Sequence, residues 1–152
     1  CKTTNFELDT RAPLLISTPG HRGGQTTQSL VEFVDIYPTL VDLCGLPHPE
    51  DLAGISLRPI LDDPSARVKD AAYSQFPHNG AMGCSVRTDR DRYTEWIPQE
   101  SADIVARELY DHDVDPLESA NVAGTTSNAD IIDDLGNILR QNAWHFLDHD
   151  LS

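Results

Sequence analysis

The chain has 152 residues, a length typical of one domain of about 100–200 residues. Its 25 acidic and 11 basic residues give a formal net charge of −14, which disfavours a nucleic-acid partner because phosphate backbones are repelled. No run of about 18 apolar residues and no signal-peptide pattern is present, so we predict no membrane partner. Because the chain opens on Cys1 rather than on methionine, we expect either an excised fragment or a processed product, so that the function would belong to a larger polypeptide.

The first part of the chain has the pattern of an α/β sheet. Residues 12–17 form an apolar run without alternation, typical of a strand buried on both faces in a parallel sheet. Residues 29–34 predict a second short strand. A helix is predicted over residues 35–44, capped by Asp35 and ended by Gly45, and one more helical turn over residues 57–61.

The second part predicts a small antiparallel sheet. The chain becomes polar at residues 62–65, so we divide it into residues 1–64, the end of an α/β domain, and residues 65–152, a C-terminal subdomain. Apolar residues at helical spacing predict a C-terminal helix over residues 127–144. The predicted fold class is α/β, as an α+β fragment. The four strands of its small antiparallel sheet are predicted over residues 71–76, 84–88, 92–96 and 108–111.

The strand over residues 92–96 alternates clearly. Tyr93 and Glu95 are expected to face one side of the sheet, and Arg92, Thr94 and Trp96 the other.

No metal site is predicted within the chain. Asp111, Asp113 and Asp115 alternate like the start of a calcium loop, but an EF-hand needs glycine and glutamate where this chain has Pro116 and Val122. We favour a strand end followed by an Asp-Pro turn. The three cysteines form no Cys-x-x-Cys pair, and the six histidines are best explained as surface residues, since only His145 and His149 are spaced like metal ligands.

A series of short motifs resembles the sulfatase family, whose fold is like that of alkaline phosphatase. They follow one another in the family's order and extend to about residue 144. More narrowly, they resemble the iduronate-2-sulfatase branch. The motifs are Lys2-Thr3-Thr4-Asn5-Phe6-Glu7, then residues 11–14, 34–40, 54–57, 73–77, 82–83, 85–90, 92–96 and 108–111, followed by Asp115-Pro116, Glu118 and Asn121.

The resemblance implies roles for individual residues. Lys2 is similar to the lysine that binds the sulfate group, where an ammonium stabilises the negative charge that develops during ester cleavage. His78 and Asn79 lie in a short loop between two predicted strands, and they are candidate sugar-binding residues because both can hydrogen-bond a uronate. The alternative is an ordinary hairpin loop with a solvent-facing histidine. The implied partners are a sulfated carbohydrate substrate and the N-terminal catalytic part of the same protein.

The family's catalytic machinery is missing from this chain. Its formylglycine nucleophile is made within a Cys/Ser-x-Pro-x-Arg motif, which none of Cys1, Cys44 and Cys84 begins. The family's calcium ligands precede the Lys2 region. The resemblance therefore implies calcium as a cofactor of the full-length enzyme, with ligands outside this chain, and none in the chain itself.

Two functions remain open. In the first, the chain is the C-terminal portion of an iduronate-2-sulfatase-like hydrolase of sulfated uronic-acid glycans, and it is inactive alone. In the second, it is a stand-alone non-catalytic domain or sugar-binding module. The sequence assigns no cellular compartment, although sulfatases are often exported, periplasmic or lysosomal.

Overall fold

The computed structural model describes residues 3–101 and 103–141. The chain forms two compact units, one comprising Pro13–Ala72 and the other combining Cys1–Ala12 with Tyr73–Ser152. The predicted boundary between sulfatase domains near residue 64 stays a prediction. Among the described residues, no helix has both the length and the apolar character needed to cross a bilayer.

The regular elements are mostly those that the sequence predicts. Short 3₁₀ turns precede two of the helices, at Phe33–Asp35 and Thr126–Asn128. In chain order the elements are α1 (Glu7–Thr10), α2 (Ile36–Leu43), α3 (Arg58–Asp62), β1 (Ala72–His78), β2 (Ala81–Arg87), β3 (Asp91–Pro98), β4 (Ala106–Asp111) and α4 (Ala129–Gln141).

The unit Pro13–Ala72 is organised around Asp35, a fully buried carboxylate. It accepts hydrogen bonds from the backbone N–H of Glu32 at 2.7 Å and of Ile55 at 2.9 Å. The Lys69 ammonium lies 2.7 Å from the same carboxylate and supplies the opposite charge. A buried charge is tolerated only with such partners, so Asp35 joins the segments on either side of α2. The predicted N-cap role is wrong: the Asp35 side chain makes no cap hydrogen bond to α2, because its oxygens are taken by Glu32, Ile55 and Lys69.

Both strands predicted in this unit are wrong. Residues 12–17 are irregular and exposed, with Leu15 89% exposed, and residues 29–34 are irregular until they enter the 3₁₀ turn. A strand buried on both faces needs neighbouring strands to pair its backbone N–H and C=O groups. In the described ranges the only sheet is that of β1–β4, and neither segment joins it.

The other unit contains a four-stranded sheet in the order β1-β2-β3-β4. β3 pairs antiparallel with β2 and with β4, as predicted. α4 packs on β2 and β3 and is described as far as Gln141, so its predicted end at Trp144 lies outside the described residues. The buried apolar residues of this unit are Val86, Tyr93, Leu109, Tyr110, Leu135 and Leu139.

The predicted alternation of β3 is confirmed. Tyr93 and Glu95 face α4, where Glu95 binds Arg140 at 2.8 Å. Arg92 and Trp96 face the opposite side, where the N-terminal residues lie. Both faces of β3 are covered, and Asp91 through Glu95 are all buried.

Gly54 generates a prediction about the unit Pro13–Ala72. A Cβ atom on Gly54 would lie 2.1 Å from the Val34 carbonyl oxygen, closer than any real contact. We expect Gly54→Ala to lower the free energy of unfolding by about 2 kcal/mol or more, the range of an overpacked core. Urea unfolding followed by circular dichroism measures this. Gly23→Ala is the matched control, because a Cβ there meets no atom within 4 Å; equal stability of the two variants would contradict the prediction.

Candidate functional site

The residues that follow Lys2 are held against one face of the sheet. Asn5 is 5% exposed and donates a hydrogen bond from Nδ2 to the Gly83 carbonyl at 2.8 Å. A Cβ on Gly83 would lie 2.8 Å from the Trp96 ring and 2.9 Å from Asn5 Nδ2. Glycine is therefore required here for the close approach of the indole and the Asn5 amide.

Glu7 makes the second attachment of this segment. Its carboxylate lies 2.7 Å from Nη2 of Arg92 and 3.3 Å from Nε of Arg87. Its backbone N–H donates to Glu118 Oε2 at 2.6 Å. Both the side chain and the backbone of Glu7 are thus tied to the sheet unit.

Arg92 connects these groups. Its Nε lies 2.6 Å from Glu118 Oε1, and its Nη2 also donates to Thr10 Oγ1 at 2.9 Å. The Arg92 and Glu118 side chains are only 3% and 1% exposed. A guanidinium can hold two carboxylates at once because its donors point in fixed directions. We refer to Glu7, Arg92 and Glu118 as the N-terminal ion-pair network.

His112 and Arg87 complete the surroundings of this network. His112 Nε2 lies 2.8 Å from Glu118 Oε1, and its Nδ1 lies 2.8 Å from Nη2 of Arg87. Burial alone would raise the pKa of Glu7, but the hydrogen bond and charge of Arg92, with help from Arg87, hold that pKa below its ordinary value of 4.5. The carboxylate is therefore ionised at neutral pH.

Ligand atoms of Glu7, His112 and Glu118 all lie within 4.8 Å of one another, a spacing compatible with a metal ion. The surroundings do not fit calcium. Arg87 and Arg92 already neutralise the two carboxylates, and calcium takes six to eight oxygen ligands in most protein sites. The three groups are explained by the ion pairs that they make.

The alternating aspartates Asp111, Asp113 and Asp115 bind other groups of the protein. Asp111 binds Arg90 at 3.0 Å, and Asp113 lies 3.4 Å from the same guanidinium. Asp115 accepts hydrogen bonds from Ser119 and Ala120 and so closes a turn. The predicted strand end followed by an Asp-Pro turn is what the structure contains.

His78 and Asn79 lie at the turn between β1 and β2, and both are exposed. Asn79 and Gly80 have φ angles of 50° and 78°, the two positive values of a type I′ hairpin turn. Asn79 Nδ2 donates to His78 Nε2 at 2.9 Å. The His78 ring meets Trp96 edge-on, with centroids 6.1 Å apart. These contacts give the turn a defined shape.

Lys2 lies outside the described residues, directly before Thr3. The structure thus places His78 and Asn79 together and describes the anchors of the segment after Lys2. Sequence reasoning missed Arg92, Glu118 and Trp96 as parts of the site. The available signal was Arg92 itself, because an arginine within a predicted strand needs an opposite charge wherever its side chain is buried.

The sequence matches a family model described as N-sulphoglucosamine sulphohydrolase, C-terminal, over residues 2–144. Arylsulfatase K of Xenopus laevis is 32% identical over 130 residues, which cover 81% of this chain and 24% of that protein. Arylsulfatase K of Homo sapiens is 31% identical over 129 residues, covering 80% and 24%. The chain therefore spans about a quarter of the length of these relatives.

Solved structures share the fold. BT4656, determined in complex with its substrate D-glucosamine-2-N,6-O-disulfate, is 26% identical with a TM-score of 0.62, covering 76% of this chain and 24% of that one. BT1596, a 2-O GAG sulfatase, is 28% identical with a TM-score of 0.60, covering 75% and 25%. The phosphonate monoester hydrolase of Agrobacterium radiobacter is 27% identical with a TM-score of 0.60, covering 77% and 25%. The predicted fold class is confirmed.

The lowered pKa of Glu7 generates a prediction about acid stability. Because the pKa in the folded state is below 4.5, the stabilisation by Glu7 is complete above about pH 4.5 and is lost as the pH falls through the folded-state value. We expect Glu7→Gln to lower the free energy of unfolding at pH 7 by about 2 kcal/mol, as for a hydrogen bond to a charged group. Below pH 4.5 its stability should fall less steeply than that of the unmodified chain.

Denaturant unfolding between pH 7 and pH 3 measures both effects. Glu100→Gln is the control, since Glu100 is exposed. Parallel pH profiles for Glu7→Gln and the unmodified chain would contradict a role for Glu7 in acid stability.

Proposed function

This chain belongs to the N-sulphoglucosamine sulphohydrolase C-terminal family, a C-terminal part of larger sulfatases, and from that membership we propose that it completes an enzyme that hydrolyses sulfate esters of carbohydrates. Its match to the family from residue 2 to residue 144 supports this, as does its coverage of only a quarter of the arylsulfatase K chains. The partner that we propose is the N-terminal catalytic part of the same protein.

The observation that carries the proposal is the attachment of the segment after Lys2 to the sheet. Asn5 and Glu7 are both tied down within five residues of Lys2. We propose that Lys2 binds the sulfate group. Cleavage of the ester leaves negative charge on the sulfuryl oxygens and on the departing oxygen, and an ammonium held in place stabilises that charge in the transition state.

We place the nucleophile and the calcium site in the N-terminal part. None of the three cysteines begins a formylglycine motif, and the acidic cluster around Glu118 is neutralised by arginines. Calcium, when bound there, would supply positive charge to the sulfate oxygens. The contribution of this chain would be Lys2 and the elements that position it.

Exposed apolar residues support a large partner for the unit Pro13–Ala72. Large apolar side chains left exposed to water forgo hydrophobic free energy that a covering partner would supply. The segment 12–17 is apolar, irregular and exposed, and we propose that it packs against the N-terminal part. A stand-alone sugar-binding module, the alternative function, offers no reason for so much apolar exposure. The residues concerned are Leu15, Phe33, Tyr37, Leu40, Leu46 and Ile55, which are 47–89% exposed.

For the substrate, we propose a sulfated glycan whose sugar contacts His78 and Asn79. The ordered type I′ turn and the edge contact of His78 with Trp96 support this, because they present an imidazole and an amide in a defined geometry. Preference for a uronic acid of the iduronate type is part of the proposal. A phosphonate monoester belongs in the assays too, since a hydrolase of that class shares the fold.

The role of Lys2 is tested in the full-length protein. We expect Lys2→Ala to lower kcat on an aryl sulfate about a hundredfold, the usual loss when one preorganised transition-state donor is removed. The circular dichroism spectrum should not change. Arg22→Ala, which removes a positive charge from an exposed loop, should keep normal turnover. Near-normal kcat for Lys2→Ala would reject the role.

The sugar contact is tested by changing the turn without unfolding it. Because Asn79 has a φ of 50°, glycine is a better replacement there than alanine. The double variant His78→Ala, Asn79→Gly should raise KM for a sulfated disaccharide about tenfold and leave KM for a small aryl sulfate unchanged. Gln99→Ala, a change at an exposed residue beside the turn, is the control. An equal effect on both substrates would speak against a role of the turn in specificity.

A further inference from the structure

We propose that Arg92 is a positioning residue for the sulfate site: through Glu7 and Glu118 it fixes the backbone from which Lys2 extends. The inference rests on the proposed role of Lys2 and goes beyond it, because it assigns the placement of that lysine to the N-terminal ion-pair network on the buried strand β3.

The geometry fixes the segment at two points. Arg92 lies 2.7 Å from the Glu7 carboxylate and 2.6 Å from Glu118, and Glu118 in turn accepts the backbone N–H of Glu7 at 2.6 Å. This closed arrangement controls both position and direction of the chain at Glu7. Asn5 adds the second point at Gly83. Three residues of extended chain reach at most about 10 Å, so the Asn5 anchor limits where Lys2 can be.

The N-terminal ion-pair network also carries a larger desolvation penalty than an apolar contact at the same place would. Burying charged groups carries a desolvation penalty, and buried ion pairs can often be replaced by apolar side chains without loss of stability. Glu118 has a φ of 54°, a left-handed backbone conformation that is unfavourable for a residue other than glycine. Strain and buried charge at one residue indicate that its location is held for function.

The other face of the same strand supplies a comparison. There, Glu95 accepts hydrogen bonds from Arg140 at 2.8 Å and from Tyr93 at 2.9 Å, and so attaches α4. That contact does not involve the N-terminal segment. Arg140, on α4, is therefore a comparison arginine that pairs with a residue of the same strand at a similar distance and should have no influence on Lys2.

The experiment is a double-mutant cycle in the full-length protein, measured on an aryl sulfate. Arg92→Met, which keeps most of the side-chain volume, should lower kcat at least tenfold with less than a threefold change in KM. Arg140→Met should keep kcat within twofold. In a Lys2→Ala background, Arg92→Met should cause less than a twofold further loss, because a positioning residue has nothing left to position.

A full tenfold loss from Arg92→Met in the Lys2→Ala background would overturn the inference, as would equal losses from Arg92→Met and Arg140→Met. If Arg92→Met fails to fold, Glu7→Gln and Arg92→Lys are taken through the same cycle, with the same result expected. Failure of the proposed function is distinct: the unmodified enzyme would then show no sulfatase activity, or Lys2→Ala alone would leave kcat unchanged.

Discussion

Burial of β3 on both faces is the constraint on which the sheet unit depends. Asp91 through Glu95 are all buried, and three of them, Asp91, Arg92 and Glu95, are residues that carry a charge at neutral pH in water. A charge in that position must find a partner from outside the strand. Arg92 is paired with Glu7 and Glu118 from the segments on one face, and Glu95 with Arg140 from α4 on the other. Asp91 shows the opposite case, since burial and the nearby Asp111 raise its pKa.

Because the buried charges of β3 need partners, the small sheet binds the N-terminal segment, which is distant in sequence. Glu7 and Arg92 are separated by 85 positions, and Asn5 and Gly83 by 78. The role proposed for Lys2 would supply a reason for such long-range attachments, because a residue contributed to a composite site must be placed accurately against the remainder. The buried arginine and the glycine under Trp96 are the two features that make the attachment possible.

The unit Pro13–Ala72 is held together in a different way. Asp35 and Lys69 hold its segments together internally, while a large share of its apolar side chains stays exposed. Its strand-like run at residues 12–17 has the right composition for a buried strand and lacks neighbours among the described residues. The unbroken apolar run therefore explains both the wrong strand prediction and the association with a longer protein that we expect. Such a run is stable when neighbouring segments bury it, and those segments would have to come from additional residues.

The sequence by itself determined the elements whose signals are local. Alternation identified β3 and its two faces, and helical spacing identified α4. Ordered motifs identified the family. Only the tertiary structure decided which groups meet: that Glu7 pairs with Arg92, that Glu118 receives the Glu7 N–H, and that Gly83 admits Trp96 and Asn5. Pairing between residues tens of positions apart depends on how the sheet and the N-terminal segment pack. Opposite charges attract at any sequence separation, so no local pattern selects which of the eleven basic and twenty-five acidic residues form pairs.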